Sequence, residues 1–131
     1  MIALDTSAIV AIAMGEPEAD AFSREIARRG AVVSAPTLLE TRLVLTSRVK
    51  GAEPFMRGFL APAEVEPVAF SLEMYRLAVD AFERFGRGRG HPARLNFGDC
   101  MSYAVAKHYD APLLYKGDDF SHTDIRPAAP R

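Results

Sequence analysis

The sequence predicts an α/β domain built on a mainly parallel central sheet. Short apolar runs alternate with longer amphipathic segments, which is the order expected of parallel strands joined by crossover helices. The length of 131 residues fits one domain, which we place at residues 1–131. Apolar residues make up 49% and charged residues 25% of the chain, which excludes disorder, collagen-like repeats and a coiled coil.

The N-terminal segment predicts one strand followed by two helices. The apolar run 2–4 predicts the strand, and Thr6 or Ser7 can cap a short helix directly after it. Pro17 suits the first turn of a second helix, in which apolar residues recur on one face. Gly30 follows two arginines and ends this helix, because cations and glycine both favour a helix C-terminus.

The next segment predicts two strands and the helices between them. Residues 31–34 are small or β-branched and predict the second strand. Pro36 opens a third helix that is predicted to continue to Lys50 and Gly51. Residues 52–63 suit one more short helix, and residues 65–68 predict a weak strand.

The C-terminal half predicts two helices and a final strand. Ser71 caps a strong helix that carries Leu72, Tyr75, Val79 and Phe82 on one stripe. A glycine- and arginine-rich loop covers residues 86–92, and Asn96 starts the second helix. Residues 113–115 predict a strand, and the tail after Phe120 is expected to be loop with a short edge strand at Ile125.

Several carboxylates stand where a parallel sheet would bring them together. Asp5 ends the first strand, and Glu40 lies early in the helix that follows the second strand. Asp99 lies in the first turn of its helix, and Asp118 and Asp119 follow the last strand. These positions share the C-terminal edge of a parallel sheet, where ligands bind at a topological switch point. Since such carboxylates repel one another, we expect them to hold a divalent cation such as Mg²⁺ or Mn²⁺.

Four of these five acids also have a purely structural interpretation. Asp5 could cap the next helix, Asp99 could stabilise a helix N-terminus, and Asp118 with Asp119 could form a turn. Ser7 is a further candidate, because its hydroxyl could bind the Asp5 carboxylate or a metal-bound water. The sequence has no Walker loop, dinucleotide fingerprint or nucleophile elbow, so metal-dependent phosphoryl chemistry is the activity that these acids favour.

A basic segment precedes Asp99. Four arginines lie on or beside this glycine-rich segment: Arg84, Arg87, Arg89 and Arg94. They suit contact with a nucleic-acid backbone, because arginine binds phosphate with two hydrogen bonds; a surface loop or a surface for an acidic partner is the alternative. The adjacent Phe85 and Phe97 are expected to pack inward.

The cysteine content and the apolar runs constrain the cellular compartment. Cys100 is the single cysteine, which excludes a disulfide framework, and its apolar helix favours core packing over a nucleophilic role. The N-terminus lacks the basic region of a signal peptide, and no apolar run approaches the length of a membrane span. We therefore expect a cytoplasmic protein without a membrane partner.

Four segments resemble the motifs of the PIN-domain ribonucleases, and specifically those of the VapC toxins of bacterial toxin–antitoxin modules. They are residues 2–8, 37–40, 95–100 and 113–120. The resemblance implies a PIN-like three-layer α/β/α domain and a Mg²⁺- or Mn²⁺-dependent endoribonuclease that cleaves structured RNA such as tRNA or rRNA. Asp5, Glu40 and Asp99 match the family's metal-site acids, and either Asp118 or Asp119 is the fourth.

The resemblance also implies partners and a mechanism. It implies a homodimer and a cognate VapB-type antitoxin whose tail blocks the active-site groove. Asp5 and Asp99 would hold the main ion, Glu40 and the fourth acid would complete its shell, and Ser7 would position water or substrate. Two alternatives remain. One is a small acid-dependent phosphatase, which usually has a second aspartate where Ser7 stands. The other is a non-catalytic module that binds RNA or the antitoxin.

Overall fold

A parallel sheet of four strands forms the centre of the computed structural model, which describes residues 1–129. The strands are β1 (Ile2–Leu4), β2 (Ala31–Ser34), β3 (Val65–Val68) and β4 (Leu113–Leu114). They lie in the order β3-β2-β1-β4, and every pairing is parallel. The mainly parallel sheet predicted from the sequence is therefore confirmed, while the predicted domain limit of 131 extends past the described residues.

Helices cover both faces of this sheet and form the outer two of three layers. They are α1 (Thr6–Ala13), α2 (Ala19–Arg29), α3 (Ala35–Thr46), α4 (Ala52–Leu60), α5 (Leu72–Phe85) and α6 (Phe97–His108), with a 3₁₀ helix at Asp119–His122. Ala3 and Val32 face a core formed with α5 and α6. Ile2, Leu4 and Val33 face the opposite core, to which α1 and α2 contribute.

The strand order places a topological switch point beside β1. From β1 the chain moves to β2 and β3 on one side, whereas β4 pairs with β1 on the other side. The loops that follow β1 and β4 diverge at this point, which leaves a crevice at the C-terminal edge of the sheet. Because α6 returns the chain to the start of β4, its N-terminus lies at the same edge. Asp5, Asp99 and the segment after β4 are brought together for this reason.

Three helix boundaries differ from the predicted ones. Asp5, rather than Thr6 or Ser7, caps α1, because its carboxylate accepts the backbone N–H of Ser7. Pro17 lies in the turn before α2 instead of in its first helical turn, and α3 ends at Thr46 rather than near Lys50. The predicted helix within residues 52–63 and the predicted strand at residues 65–68 are confirmed as α4 and β3.

The apolar stripe of α5 faces outward. Leu72, Tyr75, Val79 and Phe82 are between 38% and 63% exposed. The opposite face of α5, with Met74, Ala81 and Phe85, packs into the core beside α6. The prediction that Phe97 packs inward is wrong, since this ring is 83% exposed; Phe85 and Cys100 are buried as predicted.

The C-terminal tail pairs with β4 through one isolated bridge between Leu113 and Pro127. The edge strand predicted at Ile125 is absent from the described residues, and Ile125 packs into the core instead. Among residues 1–129, no helix has the length and apolar content needed to span a membrane.

Candidate active site

Asp5 sits between the end of β1 and the start of α1 and is only 5% exposed. Its Oδ2 atom accepts hydrogen bonds from the Ser7 backbone N–H at 3.0 Å and from the Ser7 hydroxyl at 2.6 Å. Its Oδ1 atom accepts the hydroxyl of Ser102, also at 2.6 Å. The helix-cap interpretation of Asp5 is thus correct, and the same carboxylate also lines a cleft at the edge of the sheet.

Glu40 reaches this cleft from the second turn of α3. The Thr6 hydroxyl donates a hydrogen bond to Glu40 Oε1. The carboxylate lies directly against Gly98 at the start of α6, where a Cβ atom would collide with it. Gly98 therefore provides the space that lets Glu40 approach the helix turn carrying Asp99.

Asp99 belongs to the first turn of α6, where it forms a capping box with Asn96. The Asp99 N–H donates to Asn96 Oδ1 at 2.9 Å, and the Asn96 N–H donates to Asp99 Oδ2 at 3.1 Å. The pKa of Asp99 is raised to about 7, chiefly by burial and in addition by the charges of Asp5, Asp119 and Glu40, while the Asn96 N–H lowers it. Three of the acids that the sequence predicts to lie together therefore do act on the carboxyl group of Asp99.

The cleft has a volume of about 350 Å³. Its acidic lining consists of Asp5, Glu16, Glu40 and Asp99, accompanied by Thr6 and Ser7. Asp118 and Asp119 lie outside this lining, at the start of the 3₁₀ helix, although the charge of Asp119 is felt at Asp99. Three of the predicted acids and Ser7 therefore share one cleft, and Asp119 lies near it.

The donor atoms of the cleft fit a hard divalent cation, because they are carboxylate and hydroxyl oxygens. Within residues 1–129, however, no three aspartate, glutamate, histidine or cysteine side chains are close enough together to ligate one ion in their present positions. Protein donors hold the acids instead: Ser7 and Ser102 bind Asp5, and Thr6 binds Glu40. The residues fit the ion in their donor chemistry, and a bound ion would offset the burial and the repulsion that together raise the pKa of Asp99.

Two cations also line the cleft, namely Lys116 and Arg48. The Lys116 backbone N–H donates to the Ser7 hydroxyl at 2.9 Å, which ties the segment after β4 to α1. The Lys116 ammonium forms ion pairs with Glu16 and, at 3.3 Å, with Glu18. This lysine therefore balances part of the acidic charge beside Asp5.

Ser102 and Lys116 are absent from the sequence-based candidates. Ser102 lies three residues after Asp99, and side chains at that spacing share one face of a helix. That spacing could have identified Ser102, whereas the contacts of Lys116 with Glu16 and Glu18 join distant parts of the chain and leave no local pattern.

The four candidate arginines are not part of the lining of the acidic cleft. Arg84 pairs with Asp80 at 3.2 Å and donates to the Tyr103 hydroxyl at 3.2 Å. Arg87 and Arg89 line a groove of about 1210 Å³ formed with the exposed apolar face of α5, and Arg94 has a positive φ of 52° in the loop before α6. Their contact with a phosphate backbone stays a prediction.

Comparison with protein families gives one match that spans most of the chain. A family model described as "PIN domain" matches residues 2–126. The relative named ribonuclease VapC42 of Mycobacterium tuberculosis is 41% identical, over 95% of this chain and 97% of the relative. The relative named ribonuclease VapC28 of the same organism is 43% identical, over 98% of both chains.

Solved structures share the same fold at lower sequence identity. VapC20 of M. tuberculosis, described as a sarcin-ricin loop cleaving toxin, superposes with a TM-score of 0.71 at 21% identity, over 97% of this chain and 100% of that chain. A toxin–antitoxin complex from Klebsiella pneumoniae contains a chain with a TM-score of 0.71 at 16% identity, over 95% of this chain and 93% of that chain.

Proposed function

The chain belongs to the PIN domain family, and from this premise we propose that it is a divalent-metal-dependent endoribonuclease, the toxin of a toxin–antitoxin pair. The proposed reaction is the hydrolysis of RNA phosphodiester bonds by water, which a bound divalent cation would activate. The observation that carries this proposal is the convergence of Asp5, Glu40 and Asp119 on Asp99, which helps to raise the pKa of Asp99 to about 7. Relatives named ribonucleases, similar over nearly the whole chain, support it.

The cleft binds Mg²⁺ or Mn²⁺ in this proposal. Asp5 and Asp99 would hold the main ion, and Glu40 would contribute a further oxygen from α3. When bound, such an ion lowers the pKa of a water molecule and stabilises the leaving oxygen of the scissile phosphate. Ser7 keeps the Asp5 carboxylate in place through its backbone N–H and its hydroxyl, and it lies where it can position water or substrate.

We take Asp119 as the fourth acid in this proposal, because its charge is among those that raise the pKa of Asp99. We expect Asp119→Asn to slow RNA cleavage about 10- to 100-fold, the range typical of residues that support a metal ligand. Asp118→Asn is the matched control and retains near wild-type cleavage. Initial rates on one RNA at saturating Mn²⁺ measure the difference, and a larger loss in Asp118→Asn contradicts the assignment.

The proposed substrate is structured RNA such as tRNA or rRNA. Arg87, Arg89 and Arg94 belong to the loop before α6 and supply positive charge for a phosphate backbone. Arg84 is already engaged with Asp80, so its contribution to RNA is the smallest of the four. An RNA substrate also places the activity in the cytoplasm.

The proposed protein partners are a VapB-type antitoxin and a second copy of this chain. The tail of the antitoxin enters the acidic cleft and blocks it. The second copy covers the exposed face of α5 together with Phe97 of α6, since Leu72, Tyr75 and Phe97 are exposed and line one apolar groove, a surface of a kind that soluble monomers rarely expose.

The dimer is tested by placing one charge on this face. We expect Leu72→Glu to convert a dimer into a monomer, because it buries a carboxylate without a partner in the interface. Leu43→Glu on α3 is a matched control, since both leucines are 63% exposed. Light scattering during gel filtration gives the mass, and a dimer that survives in Leu72→Glu excludes this face as the interface.

Purified protein free of any antitoxin tests the catalytic proposal. It is expected to cleave cellular RNA at defined sites in Mn²⁺, and a chelator is expected to stop the reaction. Turnover of a small phosphomonoester with phosphorylation of Asp5 would instead support the phosphatase alternative. RNA or antitoxin binding without any cleavage in Mg²⁺ or Mn²⁺ would support the non-catalytic module.

A further inference from the structure

Ser102 holds the Asp5 carboxylate from the side opposite Ser7. It lies on α6 and is 1% exposed. Its hydroxyl donates to Asp5 Oδ1 at 2.6 Å, while the backbone N–H and the hydroxyl of Ser7 bind Oδ2. The two carboxylate oxygens are therefore held by separate elements of the fold, α1 and α6.

We propose that Ser102 is a positioning residue that fixes the Asp5 carboxylate for divalent-cation binding, an inference that rests on the proposed metal-dependent function. With Ser7 alone, only one oxygen is held and the carboxylate can rotate about its Cβ–Cγ bond. The Ser102 hydroxyl holds the second oxygen and sets the plane of the group. Because a carboxylate has about four acceptor sites and three of them accept these hydrogen bonds, one site remains on Asp5 Oδ1 for an ion.

The position of Ser102 on α6 gives this contact a second effect. Asp99 lies one helical turn before Ser102 on the same helix. The hydrogen bond from Ser102 to Asp5 therefore sets the end of β1 against the turn of α6 that carries Asp99. This buried hydroxyl therefore helps to fix the position of Asp5 relative to Asp99, the two acids proposed to hold the main ion.

A purely structural role makes a different prediction. A buried hydroxyl that only satisfies a buried polar group contributes to stability and leaves cation affinity unchanged. Ser34 provides the comparison, because it is also 1% exposed and its hydroxyl donates to Thr37 Oγ1 at 3.3 Å rather than to a carboxylate. Ser102→Ala and Ser34→Ala each remove one buried hydroxyl, but only Ser102→Ala removes a hydrogen bond to Asp5, the one to Oδ1.

The experiment is a calorimetric titration of the full chain with Mn²⁺, without RNA. We expect Ser102→Ala to bind Mn²⁺ about 10- to 100-fold more weakly than wild type, as is usual when a residue that orients a metal ligand is lost. We expect Ser34→Ala to bind like wild type. Ser102→Cys is a second variant that keeps the side-chain volume and replaces the hydroxyl with a weaker donor, and it is expected to bind more weakly than wild type.

The outcomes separate the two proposals. If wild type binds Mn²⁺ and both Ser102 variants bind it equally well, the positioning role is wrong and the proposed function stands. If Ser102→Ala does not fold, Ser102→Cys decides by the same titration. If wild type itself binds no Mn²⁺ or Mg²⁺, the proposed metal-dependent function fails, and the positioning role fails with it.

Discussion

Asp99→Asn is expected to slow RNA cleavage by at least about 100-fold while the protein keeps its fold, since loss of a proposed ligand costs more than loss of its supporting residues. The amide keeps the shape of the side chain, and its oxygen can still accept the N–H of Asn96, so the start of α6 stays capped. What it removes is the negative charge needed to bind a dication. Initial rates of RNA cleavage in Mn²⁺, together with the melting temperature of the metal-free protein, measure both parts of the result.

Asp20→Asn is the matched control for this variant. Asp20 is exposed in the first turn of α2, so the substitution removes the same charge from a helix N-terminus outside the cleft. It is expected to leave cleavage unchanged. Full cleavage by purified Asp99→Asn would remove Asp99 from the proposed active site.

The metal-free protein is expected to become less stable as the pH rises from about 4 to 7. The folded pKa of Asp99 is about 7, above the ordinary value of 3.8, so in this range the folded state keeps a proton that the unfolded state has released. The free energy of unfolding therefore falls as pH rises, by at most about 4 kcal/mol, because one pKa unit corresponds to about 1.4 kcal/mol. Above pH 7 both states are ionised and this contribution levels off.

Urea unfolding in the presence of a chelator, at several pH values across this range, measures the effect. Asp99→Asn should lose most of the slope and be more stable than wild type near pH 7.5. Asp124 has a lowered pKa, so its contribution changes at lower pH and has the opposite sign. A stability that increases from pH 4 to 7 in wild type would contradict the assigned titration of Asp99.

The position of the acids could be predicted because it follows from strand direction. Asp5 follows β1 directly, and Asp99 starts a helix that leads into β4, so a parallel sheet brings both to one edge whatever the details of packing. The position of Glu40 does not follow from strand direction alone, since its carboxylate occupies space that a side chain at residue 98 would fill. Residues 96–99 provide both features, because Asn96 and Asp99 form the helix cap and Gly98 leaves room for the Glu40 carboxylate.

The outward face of α5 could not be predicted in the same way. Its sequence carries apolar residues on two sides, and periodicity does not say which side the rest of the domain covers. The core takes Met74, Ala81 and Phe85, while Tyr75 and Phe82 remain exposed. The side of α5 that becomes buried is decided by packing against α6, which comes later in the chain. The sequence of α5 alone therefore does not show which side is covered.

The acidic cleft draws its side chains from widely separated points of the polypeptide, from residue 5 to residue 116, and Asp119 lies near it. During translation the early strands and helices leave the ribosome well before α6 and the segment beyond β4. A partly synthesised chain therefore lacks Asp99 and Asp119 and has no complete cluster of acids. The proposed nuclease activity is consequently complete only after nearly the whole chain has emerged from the ribosome.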